Sequence, residues 1–370
     1  MIDALGIVNF EDSNVNIKGL SEFRTTPAMS YLGRYRIVDF VISNMVNSGI
    51  DHIKVMVRDK PRSLIEHIGS GEQYNINLKH GYVQVLYPDH QAANDVYFHD
   101  VFLLHQNIQA LEESHAKYVV LAPSYMIHRI NYEDVVKYHE ESGADITCVY
   151  KSVDNANKEY LGCRRIELED QTIKSIEANI GDKKDAKILT ETYIMKRELL
   201  REIVLRASDY SPLYSMVEAI NAICSHLHVV GYEFTGYLAC INSLESYYKC
   251  NMEMIDHEYS KQLFSADWPI YTQTNDSPPA FYAKSAHVKN CLIANGCEVY
   301  GDLENCILGR GVKIEAGANI KNSLILPKAY VGPYAQIEYA VVDKYARVEN
   351  KKELIGTEDK LIYIKRRDKV

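Results

Sequence analysis

A chain of 370 residues, 46% of them hydrophobic, is comfortable as two domains that each bury a core. A formal net charge of −9, with no long basic run, excludes an electrostatic nucleic-acid binder. No apolar run is long enough to span a bilayer, and MIDALGIVNF lacks the basic flank and long apolar core of a signal peptide, so the chain reads as cytoplasmic.

Residues 4–10 read as a buried first strand. In a doubly wound fold the next turn carries glycines that let backbone N–H groups approach phosphate. Here that turn is Glu11-Asp12-Ser13-Asn14-Val15-Asn16, with two acids and no glycine. It repels a triphosphate and reads as a surface loop. From Ile37 the apolar residues recur at helical spacing, and Gly49 supplies a stop. Residues 53–57 and 82–87 read as strands, with a helix over 61–69 between them. Residues 100–111 read as one amphipathic helix. Residues 118–122 are apolar enough for the centre of a parallel sheet. Then come a helix over 132–142 capped by Asn131, a strand over 145–149, and a hairpin of 163–168 with 172–176. A strand over 188–195 leads into a helix over 196–207. A strand over 226–234 would place His226 and His228 on one face, but two histidines without a third ligand make no metal site. The eight cysteines form no CxxC pair, which argues for free thiols and against zinc.

After a linker (256–280) the period changes. Asn290-Cys291-Leu292-Ile293 recurs as Asn305-Cys306-Ile307-Leu308, as Asn322-Ser323-Leu324-Ile325 and, more loosely, as Tyr339-Ala340-Val341-Val342. Intermediate hexad positions hold Val288, Val299, Val312, Val331, Ile337 and Val348. One apolar residue per hexad is the pattern of a left-handed parallel β-helix over 281–370. The basic tail Ile364-Lys365-Arg366-Arg367 reads as a frayed, solvated end. His287 is the only histidine of this region, too little for a hexad-repeat acyltransferase.

The segment SYLGRYRIVDFVISNMVNSGI, the Gly236-Tyr237-Leu238-Ala239-Cys240-Ile241 run and the hexads after a Trp268-Pro269-Ile270-Tyr271-Thr272 linker resemble the bacterial glucose-1-phosphate adenylyltransferase family. The resemblance covers essentially the whole chain. It implies an α/β fold, with a Rossmann-like, GT-A-like nucleotidyltransferase domain over 1–255 before the β-helix. That family joins ATP and glucose 1-phosphate into ADP-glucose and pyrophosphate, with two aspartates holding magnesium and Lys and Arg groups holding phosphates. In this chain the loop arginine falls on Asn16 and the lysine before the proline on Thr26. The two metal aspartates fall on Ser124 and Cys240, and the sugar-phosphate lysine is absent beside Glu177. His99, Asp100, Val101, Phe102 and Leu103 bring bulk to a segment the family keeps open.

Such losses resemble the non-catalytic, GlgD-type regulatory subunit of that family. The resemblance then implies a catalytically degenerate chain with no cofactor of its own, magnesium being held only by a catalytic partner in a heterotetramer. It implies an effector-binding role for Arg34 and Arg36, suited to a phosphorylated small molecule. The opposing expectations are an active adenylyltransferase whose metal ligands have moved to Asp12, Asp95 or Asp100, and a sugar-phosphate sensor without turnover. Structural ion pairs with acids such as Asp39 are the plainer role for the two arginines.

Overall fold

The computed structural model describes residues 2–10, 15, 17, 19–88, 99–210, 215–349 and 353–370. Its first part is a nine-stranded sheet: β1 Ala4–Asn9, β2 His52–Met56, β3 Tyr82–Leu86, β4 Tyr118–Pro123, β5 Ile146–Val153, β6 Arg164–Glu169, β7 Thr172–Ala178, β8 Ala186–Lys196 and β9 Val229–Glu233. The order across the sheet is β3-β2-β1-β4-β8-β5-β9-β7-β6. Every residue of β1 and β4 is buried, as a strand covered on both faces requires. The parallel centre holds on one side only. β1 runs parallel to β2 and β4, but β8 lies antiparallel to β4, with Tyr193 opposite Leu121.

Two sequence readings need correction. The helix over 100–111 is two, Asp100–Gln106 and Gln109–Glu112, because the Asn107 amide donates to the Leu103 carbonyl (3.0 Å) and competes with helix continuation. The strand read from 226 begins at Val229. His226 and His228 are exposed residues ahead of it, so they share no strand face, and no group of three metal-ligating side chains occurs among the described residues. No helix among those residues is long and apolar enough to cross a membrane.

Helix Ile37–Asn47 explains why its polar residues matter. The Ser43 hydroxyl accepts from the Tyr271 N–H (2.9 Å), Asn44 accepts from the Trp268 indole (2.9 Å), and Asn47 donates to the Pro269 carbonyl (2.9 Å). These bonds lay the 256–280 segment along the helix. That segment is no plain tether, since it contains the helix His257–Leu263.

The second part is the left-handed β-helix. Its coils stack in parallel register, stepping 15 residues from Val288 to Leu303 and 17 from Leu303 to Ile320 and on to Ile337 and Leu354. Val299, Ile314, Val331 and Val348 fill one wall of the prism. Asn290, Asn305 and Asn322 turn three successive corners at φ of 53°, 51° and 44°, a region asparagine tolerates. Their amides form a ladder, 290 to 305 at 2.7 Å and 305 to 322 at 3.1 Å. The tail is not frayed: Ile362–Ile364 pairs with Ala340–Val342, and Ile364 is buried.

The two parts share a core. Tyr31, Phe40, Leu244 and Tyr247 pack with Ile307, Leu324 and Val341. Helix Leu244–Glu253 lies on the coils, and the Tyr248 hydroxyl donates to the Asn322 carbonyl (2.7 Å). Two glycines permit the approach. A Cβ on Gly33 (φ 70°) would stand 2.5 Å from the Leu308 carbonyl oxygen, and one on Gly19 (φ 71°) 2.1 Å from the Tyr363 ring.

His128, on the short strand Met126–His128, is 2% exposed and neither ring nitrogen has a partner among the described residues. Burial, and secondarily Lys151, lower its pKa to about 4. The folded state therefore keeps the ring neutral. Its contribution is full above the unfolded value of about 6.5 and is lost as pH falls toward 4, about 3 kcal/mol across that window. Urea unfolding at pH 7 and at pH 4.5 is expected to show a smaller acid loss in His128→Phe than in wild type. Equal losses would refute this account.

Candidate functional site

Ligands in open α/β sheets bind beyond the carboxyl ends of the strands. Ser124 and Tyr125 follow β4 there. The strand Leu238–Cys240 runs antiparallel to Met126–His128 with Cys240 opposite Met126, and the Ile241 N–H donates to the Tyr125 carbonyl (2.9 Å). The structure thus brings Ser124 and Cys240 to one place, as two residues of one site require. Cys163 joins them, its sulfur 3.1 Å from that of Cys240.

The place is filled with protein. Ser124 is 1% exposed, Tyr125 2%, Cys163 3% and Cys240 6%. The loop bearing Cys163 is tied down by the Tyr160 hydroxyl, which donates to the Leu238 carbonyl (2.9 Å), and by the Asn242 amide, which donates to the Leu161 carbonyl (2.8 Å). Tyr125 hydrogen-bonds Glu191, a residue at φ 52°, and burial pushes the Tyr125 phenol well up. The hydrogen bond with Cys163, and then burial, push the Cys240 thiol well above the ordinary thiol range. The site therefore holds a hydroxyl, a phenol, two cysteine sulfurs and, beyond Tyr125, the buried Glu191 carboxylate that the phenol hydrogen-bonds. The Ser124 hydroxyl has no partner among the described residues. Thr26, in the turn Thr26–Ala28, is also buried, at 1% exposure.

Magnesium asks for several hard oxygen ligands with carboxylate charge. A serine hydroxyl and a protonated thiol do not fit it. Of the alternative ligands, Asp100 is already engaged: it accepts from the Asn9 amide (2.7 Å) and from the Val101 and Met216 N–H groups (2.8 and 2.9 Å). Asp12, Asp95 and Asn16 lie outside the described residues. Glu177 accepts from Arg165 (3.1 Å), which also binds Asp182.

Comparison with known proteins agrees with this geometry in fold. A family model described as nucleotidyl transferase matches residues 16–256, and one described as GlmU-like C-terminal hexapeptide matches 278–361. A glucose-1-phosphate adenylyltransferase of Fervidobacterium nodosum is 30% identical over 92% of this chain and 83% of its own length. The chain belongs to the glucose-1-phosphate adenylyltransferase family. It is also similar to the glycogen biosynthesis protein GlgD of Bacillus subtilis, 28% identical over 98% of this chain and 95% of that protein. A third relative, the glucose-1-phosphate adenylyltransferase of Thermosipho africanus, is 30% identical over 82% of this chain and 74% of its own length.

The two arginines singled out within this adenylyltransferase segment face apart. Arg34 is exposed, with its guanidinium 5.6 Å from the Tyr35 ring, and lines a groove that also holds Phe264, Cys291 and Arg310. Arg36 is half-buried and donates to the Ser63 and Ala28 carbonyls (2.6 and 3.3 Å). Asp39 forms no close ion pair with either. It accepts from the Arg36 backbone N–H (2.8 Å) and the Tyr74 hydroxyl (2.7 Å), and lies 2.6 Å from His67 Nε2.

A cation cluster that the sequence reading missed lies between the two parts. Arg24 is buried and bonds to the fully buried Asp343. Asp343 also accepts from the Tyr363 hydroxyl (2.9 Å) and the Lys344 N–H (2.6 Å). Burial, with Arg36 and Arg24 nearby, brings the Lys344 ammonium down to about 7. Arg366, from the tail, adds a further charge and stacks near Phe23 and Tyr345. Arg24 Nε and Nη1 and Arg366 Nε have no hydrogen-bond partner among the described residues. The available signals were Arg24 three residues before Pro27 and the basic tail itself, but only the fold brings them together.

Proposed function

We propose that this chain is a regulatory, catalytically degenerate subunit of glucose-1-phosphate adenylyltransferase in glycogen biosynthesis, acting on a catalytic partner within a heterotetramer. The observation that carries the reading is the pairing of Ser124 with Cys240 in a filled site, where neither of the two positions supplies a carboxylate. A phosphoryl transfer needs charge neutralisation and in-line positioning, and losing both carboxylates removes several kcal/mol of transition-state stabilisation. Magnesium would belong to the partner alone. The similarity to the glycogen biosynthesis protein GlgD along nearly its whole length supports the glycogen biosynthesis part of this reading.

The interdomain cations support the effector half of the proposal. A phosphorylated small molecule would find Arg24, Lys344 and Arg366 there, with Arg36 at the edge and Arg34 outside, which revises the expected pair. Such a subunit biases its partner by packing differently on the partner's two states.

The test is pyrophosphate release from ATP, glucose 1-phosphate and magnesium, by this chain alone, by a catalytic adenylyltransferase subunit alone, and by the mixture. Silence alone with altered kinetics in the mixture is expected. Turnover by this chain alone would overturn the reading.

A further inference from the structure

The two cysteine pairs of this chain differ in access. Cys163 and Cys240 are sealed in the filled site. Cys291 and Cys306 lie on consecutive coils of the β-helix. The flanking pairs Lys289–Glu304 and Leu292–Ile307 are in parallel register, so Cys291 stands directly over Cys306. The two thiols take the same local geometry, each within 3.2 Å of the carbonyl two residues earlier, Lys289 and Glu304 respectively. Adjacent strands lie about 4.8 Å apart, inside the Cα separations a disulfide spans. Cys291 is half-buried and opens onto the groove beside Arg34, whereas Cys306 is fully buried behind it. The Cys306 side chain beside it lowers the Cys291 thiol below its ordinary pKa, against the opposing effect of burial. In the next coil the same position is Ser323, so the sulfur ladder ends after two rungs.

An accessible thiol backed by a second one is the arrangement of a redox-sensitive cysteine with its resolving partner. We propose that Cys291 is a peroxide-reactive site and that Cys306 resolves it, so that oxidation staples the first coil of the β-helix to the second.

The chemistry balances with hydrogen peroxide as oxidant. The Cys291 thiolate attacks one peroxide oxygen, the O–O bond breaks, and a sulfenic acid and hydroxide result. The Cys306 sulfur, giving up its proton, then attacks the Cys291 sulfur and displaces the sulfenic oxygen as water. In sum, two thiols and one peroxide become one disulfide and two waters. The first coil has much to gain from the staple, because Phe281 and Tyr282 on its outer strand are 52% and 49% exposed and no further coil covers them among the described residues.

The experiment treats the full chain with hydrogen peroxide, blocks remaining thiols, and maps non-reduced peptides. Cleavage after Glu298 and Glu304 separates the two sulfurs. The expected result is a linked peptide pair carrying Cys291 and Cys306, with the pair lighter by two hydrogens. Cys291→Ser should abolish the link and leave Cys306 reduced. Cys306→Ser should instead accumulate a sulfenic acid at Cys291 that a 1,3-dione probe captures. Should that variant fail to fold, alkylation of the wild-type protein decides: Cys291 must react first among the eight cysteines, and prior peroxide must protect both it and Cys306. Linkage of Cys163 to Cys240 instead, or alkylation spread evenly over the cysteines, would overturn the proposal.

Discussion

Replacing both Ser124 and Cys240 with aspartate is expected to unfold this protein before it restores any metal site. Ser124 is 1% exposed and Cys240 6%, with Tyr125 and Cys163 packed against them. A lone carboxylate in such a place costs several kcal/mol or takes up a proton instead. Two side by side repel, so at least one has its pKa raised. A raised carboxylate favours folding below its unfolded value of about 4 and loses that advantage as pH rises through the folded value. The double variant should therefore lie at least about 3 kcal/mol below wild type at pH 7, with the gap narrowing as pH falls toward 4. Ser124→Ala, which deletes a hydroxyl without a partner among the described residues, should change stability by less than about 1 kcal/mol. Thermal unfolding with and without magnesium reads the outcome. Magnesium that rescues the double variant and brings pyrophosphate release with it would mean that the site is still a metal site and that the proposed degeneracy is wrong.

The sequence made the β-helix legible because hexad periodicity is a local signal repeated over several coils. It also made the loss of metal carboxylates legible, since the residue types at 124 and 240 are plain in a recognisable frame. Packing was not legible. Nothing local shows that Cys163 closes over Cys240, 77 positions away, or that Tyr160 and Asn242 tie the loop shut. Long-range anchoring was equally hidden. Ser43, Asn44 and Asn47 lie within the SYLGRYRIVDFVISNMVNSGI segment, but their partners Tyr271, Trp268 and Pro269 lie more than 220 positions on. The same distance problem hides how the arginines are placed. Arg34 and Arg36 lie two positions apart, which on a continuous strand would put them on one face, but Arg34 sits in the turn at Gly33 (its N–H donates to the Leu32 carbonyl, 2.8 Å), outside the strand Tyr35–Arg36. Arg24 was passed over because its counterion is 319 positions away.

That counterion sets the second large effect. Asp343→Asn keeps the shape of a fully buried side chain and removes the only carboxylate bonded to Arg24 among the described residues. Removing one partner of a buried ion pair strands the other, which costs about 3–5 kcal/mol. Here the cost falls at the junction of the two parts, so domain separation should precede or accompany unfolding. Lys344 gives the arrangement a pH signature. Its pKa, about 7, is depressed from 10.5 by burial and by Arg36 and Arg24, and Asp343 opposes that depression. A depressed lysine disfavours folding at and below its folded value, and the loss is relieved as pH rises from there toward the unfolded value. A bound polyanion acts in the opposite sense: it needs the protonated ammonium and restores the missing neutralisation. Pyrophosphate, compared with chloride at matched ionic strength, should therefore raise the unfolding temperature of wild type more at pH 6.5 than at pH 9. The increment should be larger still in Asp343→Asn. Lys344→Met, which removes the titrating charge, should be more stable than wild type at pH 7 and should lose the pH dependence of the pyrophosphate effect. An Asp343→Asn protein within about 1 kcal/mol of wild type would show that Arg24 is neutralised by something other than Asp343. A pyrophosphate effect indifferent to both pH and Lys344 would remove the interdomain cluster as the place where a phosphorylated effector binds.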